Sequence, residues 1–149
     1  MPTARDGSAG AVAGGKLYVA GGSSPGGSQM TRHEAYDPAA NAWSTAAPLP
    51  VGRQAAPGAA VGGKLHALGG VVGTDRTAHA VFDPVANAWT NSLSLPTGRE
   101  DAAAAVAAPA FRRRGQKRLA LLERQRRRVA ILRAPGVALA VGDVRAVAA

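Results

Sequence analysis

The sequence of 149 residues contains no cysteine, so disulfide bonds and thiolate metal sites are excluded. Aromatic residues make up only 4% of the chain, whereas alanine, glycine, proline and valine are abundant. No apolar run approaches the ~20 residues that a membrane-spanning helix needs. Residues 1–13 also lack the sustained apolar stretch of a secretory signal. For a complete N-terminus, these absences predict a cytosolic protein with no membrane partner.

The positive charge is confined to one end of the chain. The formal net charge is +9, which by itself suggests a nucleic-acid partner. Residues 1–107, however, hold seven basic and seven acidic residues, whereas residues 108–149 hold eleven basic residues and two acidic ones. The sequence therefore predicts a domain boundary near residue 107, followed by a basic tail.

Two long segments of the chain repeat each other. Arg5 begins the segment RDGSAGAVAGGKLYVAGG, and Arg53 begins RQAAPGAAVGGKLHALGG. Further on, YDPAANAW is matched by FDPVANAW, and LPVGR is matched by LPTGR. The period is 48 residues from Arg5 to Arg53 and 46 residues from Arg53 to Arg99. A fixed period of this length is typical of a repeat architecture.

These segments resemble the kelch repeat, whose signature is a Gly-Gly pair, then an aromatic residue and then a tryptophan, at a period of about 50 residues. In the kelch family, each repeat forms one four-stranded blade of a β-propeller. The resemblance implies an all-β fold, a partial kelch β-propeller with blade 1 at about 5–52, blade 2 at about 53–98 and the first strand of a third blade at 99–107. The residues that carry it, with a structural role in each blade, are Gly21, Gly22, Tyr36, Trp43, Gly69, Gly70, Phe82 and Trp89.

Short apolar runs separated by turn residues predict four strands in each repeat. Gly14-Gly15 and Gly62-Gly63 each predict a two-residue hairpin turn, because glycine accepts a positive φ. Asp37 and Asp83, each followed by proline, predict the next turn. The predicted strands are 9–13, 16–20, 32–37 and 42–45 in the first repeat and 58–61, 64–68, 78–83 and 88–90 in the second.

The repeat pattern stops inside the third copy. REDAAAAVAA begins at Arg99 as expected, but no GGKL, Gly pair, Asp-Pro or tryptophan follows it. Residues 116–134 show a helical spacing of apolar side chains, interrupted by Arg126, and Pro135-Gly136 ends the predicted helix. The runs VALAV and VRAVA flank Gly142-Asp143 and predict a hairpin.

Three interpretations of the basic tail, 108–149, remain open. It is a helix that docks on nucleic acid or an acidic surface, a solvated extension without a binding role, or a remnant translated in a shifted reading frame. The break in the middle of a blade favours the third interpretation. The two other frames of the encoding DNA would distinguish it from the first two.

Two blades cannot close a propeller, which typically has four to eight. Strand edges and apolar blade faces are left without partners. The sequence therefore predicts that the chain is a fragment of a larger propeller, that it self-associates to complete a ring, or that its tail covers one face.

By resemblance to kelch propellers, the predicted function is the binding of a protein or peptide through loops at one end of the blades. The candidate loops are 23–31 and 71–77. Arg5, Arg53 and Arg99 share one repeat position and are candidate binding residues, because arginine near this place can face the end pocket in kelch proteins. The interpretation that each arginine ties neighbouring blades together is favoured, since a residue present in every copy usually serves the copy.

An enzymatic role is one alternative, because some kelch propellers belong to oxidases resembling galactose oxidase and others to sugar-acid epimerases. The oxidase centre needs a cysteine, which this chain lacks. His33 and His79 share a repeat position, but two histidines without a third ligand are a weak metal signal. The sequence therefore predicts no catalytic residue, cofactor or metal in this chain. Weak, nonspecific nucleic-acid binding through the tail is the other alternative. Bacterial kelch proteins occur on both sides of the membrane, so the resemblance leaves the compartment open.

Overall fold

The computed structural model describes residues 1–107, 129–134 and 137–143, which form three antiparallel sheets. The all-β prediction is confirmed, and each strand of the first two sheets agrees with its predicted range to within one residue at either end. Within these ranges no helix is long and apolar enough to cross a membrane. Blade 1 consists of β1 (Ala9–Ala13), β2 (Lys16–Ala20), β3 (His33–Asp37) and β4 (Ala42–Thr45), and blade 2 of β5 (Gly58–Val61), β6 (Lys64–Leu68), β7 (His79–Asp83) and β8 (Ala88–Asn91).

The strands of each blade are neighbours in sequence order, and tight turns join the first strand to the second and the third strand to the fourth. Gly14 and Gly15 have φ values of 56° and 76°, so the two-residue turn between β1 and β2 uses the conformation that glycine favours. After β3, the Oδ1 atom of Asp37 accepts hydrogen bonds from the backbone N–H groups of Ala39 (2.9 Å) and Ala40 (3.3 Å). Blade 2 repeats both turns with the equivalent residues. The local sequence therefore fixes the register of the two tight hairpins in each blade.

The main hydrophobic core lies between the two blades. Tyr18 and His33 of blade 1 pack against Leu65, Phe82 and Trp89 of blade 2. The ring centroids of His33 and Phe82 are 4.4 Å apart in an edge-to-face arrangement. Leu65 and Phe82 are at most 1% exposed, and burial of an apolar side chain of this size contributes about 1.5–3 kcal/mol. Each blade thus depends on its neighbour for its core.

A third sheet starts with the strand predicted for the third blade, β9 (Ala102–Ala107). It is completed by β10 (Val129–Ala134) and β11 (Val137–Asp143), in the order β10-β11-β9. All neighbours in this sheet are antiparallel. The basic tail therefore supplies two strands to the sheet that the third repeat begins.

The third sheet packs on blade 2 through its first strand. Ala102 and Ala104 of β9 contact a buried cluster of Ala59, Leu68 and Leu95. The contact resembles that between the first strands of blades 1 and 2. The third sheet thus takes the place of the next blade.

Two predictions for the tail are wrong. The helix over 116–134 fails at its end, because residues 129–134 form β10, and 116–128 lie outside the described residues. The hairpin at Gly142-Asp143 is wrong because both residues lie inside β11; residues 144–149 also lie outside the described part. The edge of β9 offers backbone groups with which β11 pairs, and β10 pairs with β11 in turn. This pairing outweighs an apolar pattern that Arg126 already interrupts.

Candidate binding site at the loop ends of the blades

The Gly pair after the second strand of each blade holds the arginine that opens the next repeat. Gly21 and Gly22 have φ values of 70° and 99°. The N–H of Gly22 donates to the carbonyl of Arg53 at 2.7 Å, and Gly70 makes the same bond to Arg99. A Cβ atom at Gly21 would lie 2.5 Å from the Arg53 carbonyl oxygen. Only glycine satisfies both the backbone conformation and this close approach.

The side chain of Arg5 is fully buried and carries a counter-ion in blade 1. Its Nη1 atom donates to the carbonyls of Gly21 (3.1 Å) and Arg32 (2.9 Å), and its Nη2 atom donates to the carboxylate of Glu34. Thr3 donates from its hydroxyl to the other carboxylate oxygen at 2.8 Å. Burial raises the pKa of Glu34, but the bond from Thr3 and the charge of Arg5 outweigh it, so the pKa lies below its ordinary value.

Arg53 occupies the same position in blade 2 without a carboxylate at that place. The side chain donates from Nη1 to the carbonyls of Ala67 (2.8 Å), Gly69 (3.2 Å) and Ala78 (3.1 Å). The residue that aligns with Glu34 is Ala80. Arg53 is 5% exposed, and its Nε atom has no hydrogen-bond partner among the described residues. Burial lowers the pKa of this guanidinium, and the charge of Asp75 opposes that change.

The three candidate arginines therefore lie at equivalent places of successive repeats and do not converge on one site. The backbone of Arg53 bonds to blade 1 and its side chain bonds to blade 2. Arg99 repeats the backbone contact with the Gly pair of blade 2, and its Nε atom is also buried without a partner in the part of the chain that the structure describes. Contacts of this kind join neighbouring repeats. Whether any of these arginines binds a ligand stays a prediction.

The histidines at the shared repeat position are also kept apart. The Nδ1 atom of His33 lies 2.9 Å from the Ala47 carbonyl, and that of His79 lies 3.1 Å from the Leu93 carbonyl. Since a carbonyl only accepts, each Nδ1 carries the proton. His33 is in the core between the blades, whereas His79 contacts His66.

His66 and His79 form a pair on the face of blade 2 directed away from blade 1. Nδ1 of His66 lies 2.9 Å from Nε2 of His79, which accepts because its own Nδ1 holds the proton. Burial is the largest cause that lowers the pKa of both rings. Among the residues that the structure describes, no group of three or more His, Cys, Asp or Glu side chains could hold a metal ion.

A pocket of about 280 Å³ lies beside Arg53, between the end of blade 1 and blade 2. Both Arg53 and Ala80 line it, together with residues of the loop after β6 and of the segment after β8. Blade 1 has an equivalent cleft, to which Arg5 and Glu34 do not contribute. The full lining of the pocket in blade 2 is Pro50, Val51, Arg53, Val72, Asp75, Ala78, His79, Ala80, Asn91, Ser92 and Ser94.

The two candidate loops, 23–31 and 71–77, lie side by side at the end of the blades opposite to the hairpin turns. The N–H of Gly73 donates to the side-chain oxygen of Gln29 at 3.2 Å, which links the loops directly. Each loop is also ordered from within: Ser24 bonds to Ser28, and the Asp75 carboxylate accepts two bonds from Thr77 at 2.7 Å. Residues 25–28 and 73–76 are exposed.

Residues 4–50, which include all four strands of blade 1, match the family model described as the Kelch motif. This part of the chain carries a kelch motif. This finding confirms the recognition made from the Gly pair, the aromatic residue and the tryptophan. No curated protein matches the chain.

The residues of blade 2 that repeat the aromatic residue and the tryptophan of blade 1 serve the contact between the blades. Phe82 pairs with Trp89 across β7 and β8, and the two rings pack 5.3 Å apart. The indole N–H of Trp89 donates to the carbonyl of Ala47 in blade 1 at 2.9 Å. In blade 1, Tyr36 and Trp43 pack together in the same way at 5.2 Å.

One difference between the two blades is not among the features predicted from the sequence. Glu34 and Ala80 stand at the same position of the two repeats, yet only the fold shows that this position faces the buried arginine. The signal was present in the aligned repeats as HEAYDP against HAVFDP. An acidic residue in one copy and alanine in the other would have marked it.

Proposed function

We propose that this chain is an interaction module of a larger kelch propeller, which binds a protein or peptide through loops 23–31 and 71–77. Kelch repeats generally mediate protein–protein interaction. The single observation that carries the proposal is the direct contact between the two exposed loops through Gln29 and Gly73. Loops ordered before binding lose less conformational entropy when a partner docks.

The loop tips provide backbone groups and small polar side chains for a partner. The first tip is PGGS and the second is GTDR. Neither tip has a large apolar side chain, so recognition rests on hydrogen bonds and charge and does not require an apolar groove. A segment of an extended peptide or a polar surface loop of a partner protein fits this description.

Photo-crosslinking tests the proposal at both ends of the blades. A photoreactive amino acid is placed at Gly26 or at Thr74, in the two loop tips, and the full chain is irradiated in a lysate of its own source cells. The control carries the same amino acid at Val85, which is 98% exposed in the hairpin turn of blade 2 at the opposite end. We expect one shared protein adduct from both loop positions and none from Val85.

Equal adducts from all three positions would contradict the proposal, because binding would then not be restricted to the loop end. Adducts to nucleic acid that disappear when 108–149 are deleted would instead support the role of the basic tail. Once a partner is identified, Gln29→Ala breaks the contact between the loops. We expect it to weaken binding without changing the stability of the blades.

A further inference from the structure

Among the described residues, the guanidinium of Arg53 is a buried charge that lacks a carboxylate bonded to it. It is 5% exposed and all its hydrogen bonds to described residues leave from Nη1, while its Nε atom is buried without a partner. A buried charge is normally matched by a counter-ion. The negative charge of Asp75 acts on Arg53, but the Oδ1 atom of Asp75 accepts a hydrogen bond from Thr77 and the residue is exposed to solvent.

Blade 1 shows how the same arginine position is neutralised. Arg5 and Arg53 bond to equivalent backbone carbonyls after the second strand and before the third strand of their blades. The carboxylate of Glu34 then closes the site in blade 1, and Thr3 holds that carboxylate. The chain thus contains its own example of a carboxylate bound at this position.

Blade 2 has neither of these two side chains at the equivalent positions. Ala80 stands where blade 1 has Glu34, and Val51 stands where blade 1 has Thr3. Both replacements line the pocket of about 280 Å³ that reaches Arg53. The space that a carboxylate fills in blade 1 is therefore open to a ligand in blade 2.

Asp75 also lines the pocket, with its carboxylate bonded to Thr77, and the other polar residues of the lining suit a small polar anion. Asn91, Ser92 and Ser94 contribute an amide and two hydroxyl groups to its lining. A guanidinium with hydroxyl and amide donors around it is a typical carboxylate-binding arrangement.

We infer that the pocket beside Arg53 binds a carboxylate group, which takes the place that the Glu34 carboxylate occupies in blade 1. The carboxylate belongs to a small organic acid or to an acidic side chain of a peptide. This inference concerns the pocket alone and does not require the loops to bind a partner.

Thermal unfolding of the full chain in the presence of acetate tests the inference. Acetamide at the same concentration and sodium chloride at the same ionic strength are the controls for shape and for charge. We expect acetate to raise the unfolding midpoint in a saturable way and the controls to have no comparable effect. An equal response to acetate and chloride would overturn the inference.

Ala80→Glu is the decisive variant, because it supplies the missing carboxylate from the chain itself. We expect a higher unfolding midpoint without acetate and at least a tenfold loss of acetate affinity. Wild-type and Ala80→Glu chains that respond equally to acetate would overturn the proposed location. If Ala80→Glu does not fold, Ala80→Gln is used in the same titration, and it is expected to block acetate by filling the same space.

Two further arms separate the sources of the carboxylate. Capped tripeptides with a single central Glu or Gln are compared with acetate on the wild-type chain. A Glu peptide that binds at least tenfold more tightly than acetate identifies a protein side chain as the source. Binding of acetate without binding of the Glu peptide identifies a small acid, and no binding of either overturns the inference.

Discussion

Blade 1 and blade 2 share strand order, register and turns, yet they differ in the chemistry buried at equivalent positions. Blade 1 pairs Arg5 with Glu34 and places Tyr18 beside His33. Blade 2 leaves Arg53 without a carboxylate at that place and sets His66 against His79. The two repeats thus share the residues that set their strands and turns. They differ in the buried side chains, which give the interior of each blade a different charge and polarity.

The largest difference in stability between the two blades is expected when the aromatic residue of the repeat is replaced by alanine. Phe82→Ala removes a ring that is 1% exposed between the blades, and we expect a loss of about 3–5 kcal/mol in the free energy of unfolding. Tyr36→Ala, at the equivalent position on the open face of blade 1, is expected to cost about 1 kcal/mol. Urea unfolding followed by tryptophan fluorescence measures both, and equal losses would show that the contact between blades is not the source of stability.

The buried charges are expected to give the next largest effect. Glu34→Gln leaves the buried Arg5 guanidinium without its counter-ion, and we expect it to lower the free energy of unfolding by about 3 kcal/mol. Ala80→Glu adds a carboxylate at the equivalent position of blade 2, and we expect it to raise the free energy of unfolding. Urea titrations of both variants check the signs. A destabilising Ala80→Glu together with a neutral Glu34→Gln would remove the proposed asymmetry between the blades.

The histidine pair makes blade 2 sensitive to pH. Burial holds the pKa values of His66 and His79 below the ordinary 6.5 in the folded chain. The unfolded chain therefore takes up protons first as the pH falls through 6.5, so stability is full above that pH and is lost below it.

His66→Tyr copies Tyr18 of blade 1 and removes one titrating ring. We expect it to reduce the slope of stability against pH, which is limited to about 1.4 kcal/mol per pH unit for each group. Unfolding midpoints measured between about pH 5 and 8 report the slope, since histidine changes its charge in that range. An unchanged slope in His66→Tyr would assign the pH dependence to other groups.

The smallest difference in stability between the two blades is expected when their tryptophans are replaced by phenylalanine. Trp89→Phe removes the hydrogen bond to the Ala47 carbonyl across the blades, at a cost of about 1 kcal/mol. Trp43→Phe changes a ring that packs on Tyr36 within its own blade, and a smaller loss is expected. The two variants are compared by thermal unfolding at equal chain concentration. A greater loss from Trp43→Phe would mean that blade 1 also has a partner on its open face.

Much of the fold could be predicted because its signals are local. Gly14-Gly15 and the Asx turn at Asp37 fix adjacent strands within a few residues, and the same spacing recurs one period later. The strands β10 and β11 could not be predicted in this way. β11 pairs with β9, which lies more than 20 residues away in sequence, and β10 pairs with β11. A helical pattern of side chains gives no information about that distant edge.

The candidate site was predictable only in part. The repeat identified Arg5, Arg53 and Arg99 as equivalent, but their equivalence says nothing about which partner each one meets. Glu34 lies 29 residues after Arg5 and becomes its neighbour only when β3 packs beside β2. The pocket at Arg53 likewise exists because Val51 and Ala80, distant in sequence, together leave a space.

By itself, the sequence determined the repeat, the number and ranges of the blade strands, and the turns between them, because these depend on periodicity and on the backbone preferences of glycine, aspartate and proline. Only the tertiary structure decided that Arg5 has a counter-ion and that Arg53 faces an open pocket. Packing brings together groups that are far apart along the chain, and their burial turns a charge that water would stabilise into one that needs a partner.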